Sequence, residues 1–250
     1  MSLFAAKTNT EHSSENESAR NIFNAVWQAL ETEPGRGKLI FPKEIFWLNG
    51  APGAGKGTHT AFILKQRGYT SQPVVVSDLL QTPEARKRID AGLLVSDHEV
   101  LELLLRRLLD PELRDGIIVD GFPRTQVQAE CLKLLHARLE ALHATNSAKY
   151  PKPAFHILIL FVDENESVAR QTKRGRDAQE MNAQADKKED LVEVRKTDID
   201  PELARSRYRV FLNLTHEPLL SLRGVFYYHL INAHGTIEDV RQRIEEELVQ

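Results

Sequence analysis

The densest chemical signal in the chain is the stretch Gly50-Ala51-Pro52-Gly53-Ala54-Gly55-Lys56-Gly57-Thr58. It stands between the apolar runs Ile45-Phe46-Trp47-Leu48 and Ala61-Phe62-Ile63-Leu64, an order that reads as strand, glycine-rich turn and helix. In that setting glycines let backbone N–H groups curl around an anion, and the helix N-terminus adds the positive end of its dipole. Lys56 would bring a point charge to the outer phosphates of a polyphosphate, and Thr58 a hydroxyl near a metal ion. A generic phosphate loop has Ser or Thr directly after its lysine, whereas here Gly57 intervenes. The competing reading is a tight turn with a chance lysine.

Three further groups point to the same chemistry. Asp120-Gly121-Phe122-Pro123-Arg124-Thr125 follows a buried run, at the strand end where an α/β sheet presents its ligands. Asp120 could hold the water shell of a magnesium ion there, and Arg124 could clamp a second phosphate. Arg170 and Arg174 form an i,i+4 pair on one helix face with Arg176 nearby, and Arg195, Arg205 and Arg207 follow. A transferring phosphoryl group spreads negative charge over its oxygens, so several guanidinium forks around it suit the reaction. An acceptor that is already a phosphate oxygen needs no general base, and no Ser-His-Asp or metal-ligand arrangement competes for the site. Taken singly, each arginine is more commonly a surface salt-bridge partner.

These residues must be positioned by a scaffold, and the chain alternates strand and helix after the glycine loop. Short apolar runs at 73–76, 116–120, 155–162 and 225–231 read as four more strands. Their continuous hydrophobicity implies a parallel sheet covered on both faces. Helices are expected from about Asp78, from Ser96 or Asp97 as cap, from Thr125 to about Leu142, and over 201–222 and 236–249. The fold class is therefore α/β: a P-loop, doubly wound, five-stranded parallel sheet with helices on both faces and a short lid insertion. Residues 1 to about 20 are polar and expected to be disordered at least in part. Ile22, Phe23, Val26, Trp27 and Leu30 then fall at helical spacing. The division is an N-terminal extension, 1–42, with one amphipathic helix, and a main domain, 43–250. Within the latter, about 77–110 would face the acceptor. About 175–196, a tract poor in core residues, reads as a solvated helix or as a lid drawn from a low-stability segment.

Composition narrows the class. The 250 residues carry 33 basic and 36 acidic side chains, a net charge of −3, which predicts no nucleic-acid binder. A single cysteine, Cys131, excludes an intramolecular disulfide and an all-cysteine zinc site. No apolar run approaches the ~20 residues of a membrane span, and the N-terminus lacks the basic and apolar regions of a secretory leader. A cytoplasmic monomer without membrane or nucleic-acid partners is expected.

The two glycine-bearing motifs together resemble the adenylate kinase family of nucleoside monophosphate kinases, including the Gly57 that departs from the generic loop. Asp90-Ala91-Gly92-Leu93-Leu94-Val95 resembles that family's acceptor-contacting segment, and Asn232-Ala233-His234-Gly235-Thr236 its adenine loop. The resemblance runs from about 43 to 249. It implies that Gly53, Ala54, Gly55, Lys56, Gly57 and Thr58, with Arg170 and Gly235, bind ATP. It implies transfer-site roles for Lys56, Arg124, Arg170, Arg174, Arg195 and Arg207. Leu93, Leu94, Val95, Gly121, Arg124 and Gln128 would hold the acceptor, and Asp78 and Asp120 would order Mg2+ through water.

Departures from the family pattern lie on the acceptor and lid sides. Val76 stands where the family has a threonine near the acceptor base, and Gln81 where it has an arginine on the acceptor phosphate. The helix from Asp78 to Asp90 is also short. Either Arg86, Lys87 or Arg88 supplies the missing cation, or acceptor affinity is altered. The lid lacks zinc cysteines, and Thr197 replaces one acid of an Arg-x-Asp-Asp motif. The expected activity is transfer of the terminal phosphoryl of ATP to a nucleoside monophosphate, AMP first. The alternatives are a UMP/CMP kinase and a catalytically silent ATP-binding module.

Overall fold

The computed structural model describes residues 9–33, 39–90, 94–185, 191–192 and 194–249. Five strands, β1 (Glu44–Gly50), β2 (Val74–Val75), β3 (Ile117–Asp120), β4 (Ala154–Phe161) and β5 (Tyr227–Asn232), form one sheet. Their order is β2-β3-β1-β4-β5, and every pairing is parallel. The chain runs outward from β1 to β2, returns to β3, and only then crosses to β4 and β5. That reversal beside β1 opens a crevice at the strands' C-terminal ends. Leu48 pairs with Asp120, so the glycine loop leaving β1 and the Asp-Gly-Phe-Pro turn leaving β3 emerge side by side.

The central strands are apolar throughout because both their faces are covered: Ile45, Phe46, Trp47, Leu48, Ile117, Ile118, Ile157 and Leu158 are fully buried. Trp47 fills the middle, its ring 5.5 Å from Phe122 and 5.4 Å from Phe155. The fifth strand departs from this expectation. It is an edge, and Tyr227 and Leu230 remain more than half exposed while Ile231 is buried.

Eleven α-helices lie among the described residues. The first four are α1 (Asn9–Thr32), α2 (Lys56–Arg67), α3 (Val76–Leu79) and α4 (Pro83–Asp90). α5 (Asp97–Leu108), α6 (Gln126–Thr145) and α7 (Glu164–Ala183) follow. α8 (Lys196–Ile199), α9 (Pro201–Val210), α10 (Glu217–Leu220) and α11 (Ile237–Leu248) complete the order. Ser96 caps α5 through the Glu99 amide, and Thr125 caps α6 through that of Gln128.

Several boundaries correct the sequence reading. Helix α1 begins at Asn9, so much of the polar stretch expected to be disordered is helical. Its later half packs on α5 and α6, burying Ala19, Phe23, Val26, Trp27 and Leu30. Four of these side chains are large, each worth roughly 1.5–3 kcal/mol of gross apolar burial, and that anchoring carries the exposed first turns along. The single helix expected from Asp78 to Asp90 is two. Pro83 cannot donate to the Leu79 carbonyl and disfavours helical geometry at Thr82, whose hydroxyl instead accepts from the Ala85 amide at 3.1 Å. Val76, expected in the strand, is already helical. The helix expected over 201–222 contains a π turn, Phe211–His216. The first part of the expected lid, up to Ala183, is the continuous end of α7. Asn182 joins the two sides of the tract by exchanging two hydrogen bonds with the Val192 backbone, 2.8 and 2.7 Å.

Candidate active site

The loop after β1 is held open by backbone geometry. Gly53 and Gly55 have φ of +74° and +89°, and a Cβ on Gly53 would lie 2.8 Å from the Ser167 carbonyl oxygen. Ser167 donates to the Pro52 carbonyl at 2.7 Å, tying the loop to α7. Asn49 ties it to the neighbouring turn, donating to the Pro123 carbonyl at 2.6 Å while accepting from the Gly50 amide. Lys56 folds back over the loop, its Nζ 3.0 Å from the Gly50 carbonyl and 3.4 Å from that of Ala51. Thr58 faces the same space.

That space is a cleft of about 1190 Å³ at the strand ends. Nine lysines and arginines line it, against three carboxylates, Asp78, Asp120 and Glu166. In a chain with net charge −3, such segregation marks a site for a polyanion. Lys56, Arg124, Arg170, Arg174, Arg195 and Arg207 are all in the lining, brought together from α2, the β3 turn, α7, the α8 cap and α9.

The basic groups carry the strain of this crowding. Burial at the base of the cleft pushes the Lys56 ammonium down to about 8, with Arg207, Arg124 and Arg174 adding to the fall and Asp120 opposing it. Burial and the nearby Arg195 and Arg174 push Arg207 down to about 10, against the pull of Asp198. Arg124 is lowered by burial, with Asp120 raising it and Arg195 lowering it further. A bound phosphate would relieve all three.

Carboxylates and backbone oxygens aim the guanidinium groups. Arg174 forks onto Asp198 with contacts of 2.8 and 2.7 Å, and Arg207 lies 3.6 Å from the same carboxylate. Asp198 is buried beneath them. Arg170 donates to Glu166 at 2.6 Å and to the Gly235 carbonyl at 3.4 Å. Arg124 donates through Nε to the Gly121 carbonyl at 2.8 Å, and its own carbonyl accepts from Thr215 in the π turn at 2.9 Å. Between Arg205 and Arg207 the structure is decisive: Arg205 pairs with Glu202 and Glu164 and does not line the cleft.

One end of the cleft is closed by Gly235, Thr236, Ile237 and Val240. Arg243 stiffens the loop there, donating to the carbonyls of Asn232 and His234 at 2.8 and 2.6 Å. The other wall holds Val75, Ser77, Asp78, Arg86, Leu94 and Gly121. Three expected contacts do not reach the cleft lining: Ala54 and Val95 are core residues, and Gln128 is buried. The Gln128 amide is engaged at both ends, accepting from the Arg124 backbone N–H at 2.8 Å and donating to Asp97 at 2.9 Å. Leu93 lies outside the described residues. Val76 is in the core, so the side chains around it, Val75 and Ser77, form that wall.

Asp198 and Asp97 organise the site in ways that the sequence reading did not assign to them. Asp97 was a candidate helix cap, yet it accepts from Thr125 and Gln128 across to α6, at 2.7 and 2.9 Å. The sequence signal for Asp198 is its place as the remaining acid of the Arg-x-Asp-Asp motif begun by Arg195.

Among the described residues no three His, Cys, Asp or Glu side chains converge to cage a metal. Asp78, Asp120 and Thr58 offer hard oxygen donors on one cleft, a set suited to a hydrated magnesium ion that takes its remaining oxygens from a phosphate ligand. No helix among them is long and apolar enough to cross a membrane.

A family model described as "AAA domain" matches residues 49–186, from the end of β1 through α7. The chain is 36% identical over 136 residues to proteins called adenylate kinase in Lactobacillus johnsonii and in Lactobacillus gasseri. Each alignment takes in 51% of this chain and 57% of the relative, so the chain spans little more than half the length of the curated relatives it matches.

Proposed function

The chain belongs to the AAA-domain family, and from that premise and its partial similarity to adenylate kinases we propose that it moves the terminal phosphoryl group of ATP to a nucleoside monophosphate. The observation that carries the proposal is the convergence of Lys56, Arg124, Arg174, Arg195 and Arg207 on one cleft whose two ends differ in character. On this reading the amides of Gly53 to Thr58 cradle the ATP phosphates, and Lys56 neutralises the outer ones. Arg124, Arg174, Arg195 and Arg207 surround the group in transit. An ionised oxygen of the acceptor phosphate attacks the terminal phosphorus in line; that P–O bond forms as the bond to the ADP oxygen breaks, giving two diphosphates. Asp78 and Asp120 would hold Mg2+ through water, and the ion would supply charge neutralisation at the ATP phosphates. Arg170 and the Gly235 loop take the adenine end, the described residues within 77–110 form the acceptor wall, and the end of α7 with the 195–199 turn closes over the site and excludes water.

AMP is the proposed acceptor. A pyrimidine monophosphate is the second reading, because both ends of the Gln128 amide are already engaged within the protein. A coupled assay for diphosphate formation from ATP·Mg with AMP, GMP, CMP and UMP in turn decides between them. The proposal expects the highest kcat/KM with AMP. A UMP or CMP preference supports the second reading, and ATP binding without turnover on any acceptor defeats both.

A further inference from the structure

Three consecutive cations, Arg86, Lys87 and Arg88, lie on α4, and only Arg86 lines the cleft. Arg88 is turned to its own chain, its Nε donating to the Leu94 carbonyl at 2.5 Å. Arg86 is held by a neutral adapter: its Nη2 donates to the Gln81 side-chain oxygen, and the Gln81 Nε2 donates in turn to the Asp78 carbonyl. The break between α3 and α4 makes this possible. It folds Gln81 back between the two helices, while the buried Ala85 fastens the inner face of α4.

Three other arginines of the cleft are matched with acids: Arg170 with Glu166, and Arg174 and Arg207 with Asp198. Among the residues whose side chains are described, no carboxylate pairs with Arg86, although Asp78 lines the same cleft. An uncharged amide orients the Arg86 guanidinium without cancelling its charge, and because Nη2 has a second hydrogen, one of the two forked edges, Nε with Nη2 or Nη1 with Nη2, remains for a two-point contact with an anion. It shares the cleft lining with Val75, Ser77 and Leu94 and with Lys56 of the glycine loop.

We propose that Arg86, presented by Gln81, binds the phosphate of the acceptor nucleotide. This rests on the reading of the cleft as a nucleoside monophosphate kinase site. It names the residue that answers for the acceptor phosphate in a chain with glutamine at position 81. Gln81 is a positioning residue: it touches the guanidinium, not the nucleotide.

Steady-state kinetics on the full chain test this, with AMP and ATP·Mg varied separately and calorimetric AMP binding alongside. Arg86→Ala is expected to raise the AMP KM and Kd roughly 10- to 100-fold, the loss of a charge-assisted contact, with the ATP KM unchanged. Lys87→Ala is expected to change neither. Gln81→Glu keeps the oxygen that Arg86 needs but cancels its charge, and is expected to weaken AMP in the same direction. Because Arg86 and Gln81 are exposed, the variants should melt within a few degrees of the wild type. An Arg86→Ala enzyme with AMP KM and Kd within twofold of wild type overturns the proposal and leaves the kinase reading standing. A wild type that turns over no monophosphate overturns the kinase reading and this proposal with it.

Discussion

Arg174 and Asp198 meet in a two-point contact, Nε to Oδ2 at 2.8 Å and Nη2 to Oδ1 at 2.7 Å, across 24 residues of chain. Asp198 is only 3% exposed, and its other neighbour is Arg207 at 3.6 Å. One buried carboxylate therefore fixes two of the arginines assigned to the group in transit. The approach depends on Gly175, where a Cβ would lie 2.1 Å from the Asp198 carbonyl oxygen.

Asp198→Asn removes the charge that aims both guanidinium groups but keeps the shape. The expected result is a kcat lower by about 10- to 100-fold with the KM for ATP little changed, as for a contact that matters most in the transition state. Gly175→Ala should lower both kcat and Tm, since the obstructing atom is backbone and α8 must move. Kinetics beside circular-dichroism melts separate the two effects.

Lys56→Met should separate stability from function. The ammonium sits near 8 in the folded protein against an ordinary value of 10.5, because burial disfavours its charge. Below pH 8 both folded and unfolded chains carry the proton, and there the folded state bears a cost on the order of 1–3 kcal/mol; the cost fades as pH rises from 8 toward 10.5. Replacing Lys56 is therefore expected to raise Tm at pH 7 while turnover falls by about three orders of magnitude or more. A variant that melts lower and keeps its activity would contradict both halves.

The same ammonium makes ATP binding pH-dependent. A bound phosphate favours the charged form and lifts its pKa above 8, so binding near pH 8.5 should draw a proton from the buffer. Calorimetric titrations in two buffers of different ionisation enthalpy should show that uptake. The ATP affinity should weaken as pH climbs from 8 to 9.5, and Lys56→Met should remove both effects.

Away from the cleft, Glu44 sets the acid limit of stability. Burial alone would raise its carboxyl, but hydrogen bonds from His156, Tyr69 and Arg67, with the Arg67 charge, hold it at about 2. Its stabilisation is present above the unfolded value of 4.5 and is lost as pH falls from there through 2. Glu44→Gln should lower Tm at pH 7 by several degrees and flatten the Tm profile between pH 5 and 2.

The legible parts of this protein were those written in short-range spacing. The glycine loop, Lys56 and the Asp120–Arg124 turn each occupy a few consecutive residues between a strand and a helix, and the parallel sheet follows from unbroken apolar runs such as 155–162. The partners of Asp97 and Asp198 stayed hidden because they lie 31 and 24 residues away and only tertiary packing joins them. The first turns of α1 carry no apolar stripe and become helical because the later turns are docked. Pro83 is visible in the sequence as a helix breaker, yet its consequence, Gln81 handing Arg86 to the cleft, needed the fold. Spacing alone left Arg205 and Arg207 on a par, and their ion-pair partners separated them.

The central claim is transfer rather than hydrolysis, and phosphorus NMR of the full chain with ATP·Mg and AMP reads it directly. The account predicts that the terminal ATP resonance is replaced by those of two ADP molecules, that inorganic phosphate does not accumulate, and that Arg124→Ala slows the exchange by at least about a hundredfold. Release of inorganic phosphate with AMP left unchanged, or an Arg124→Ala protein as fast as the wild type, would contradict it.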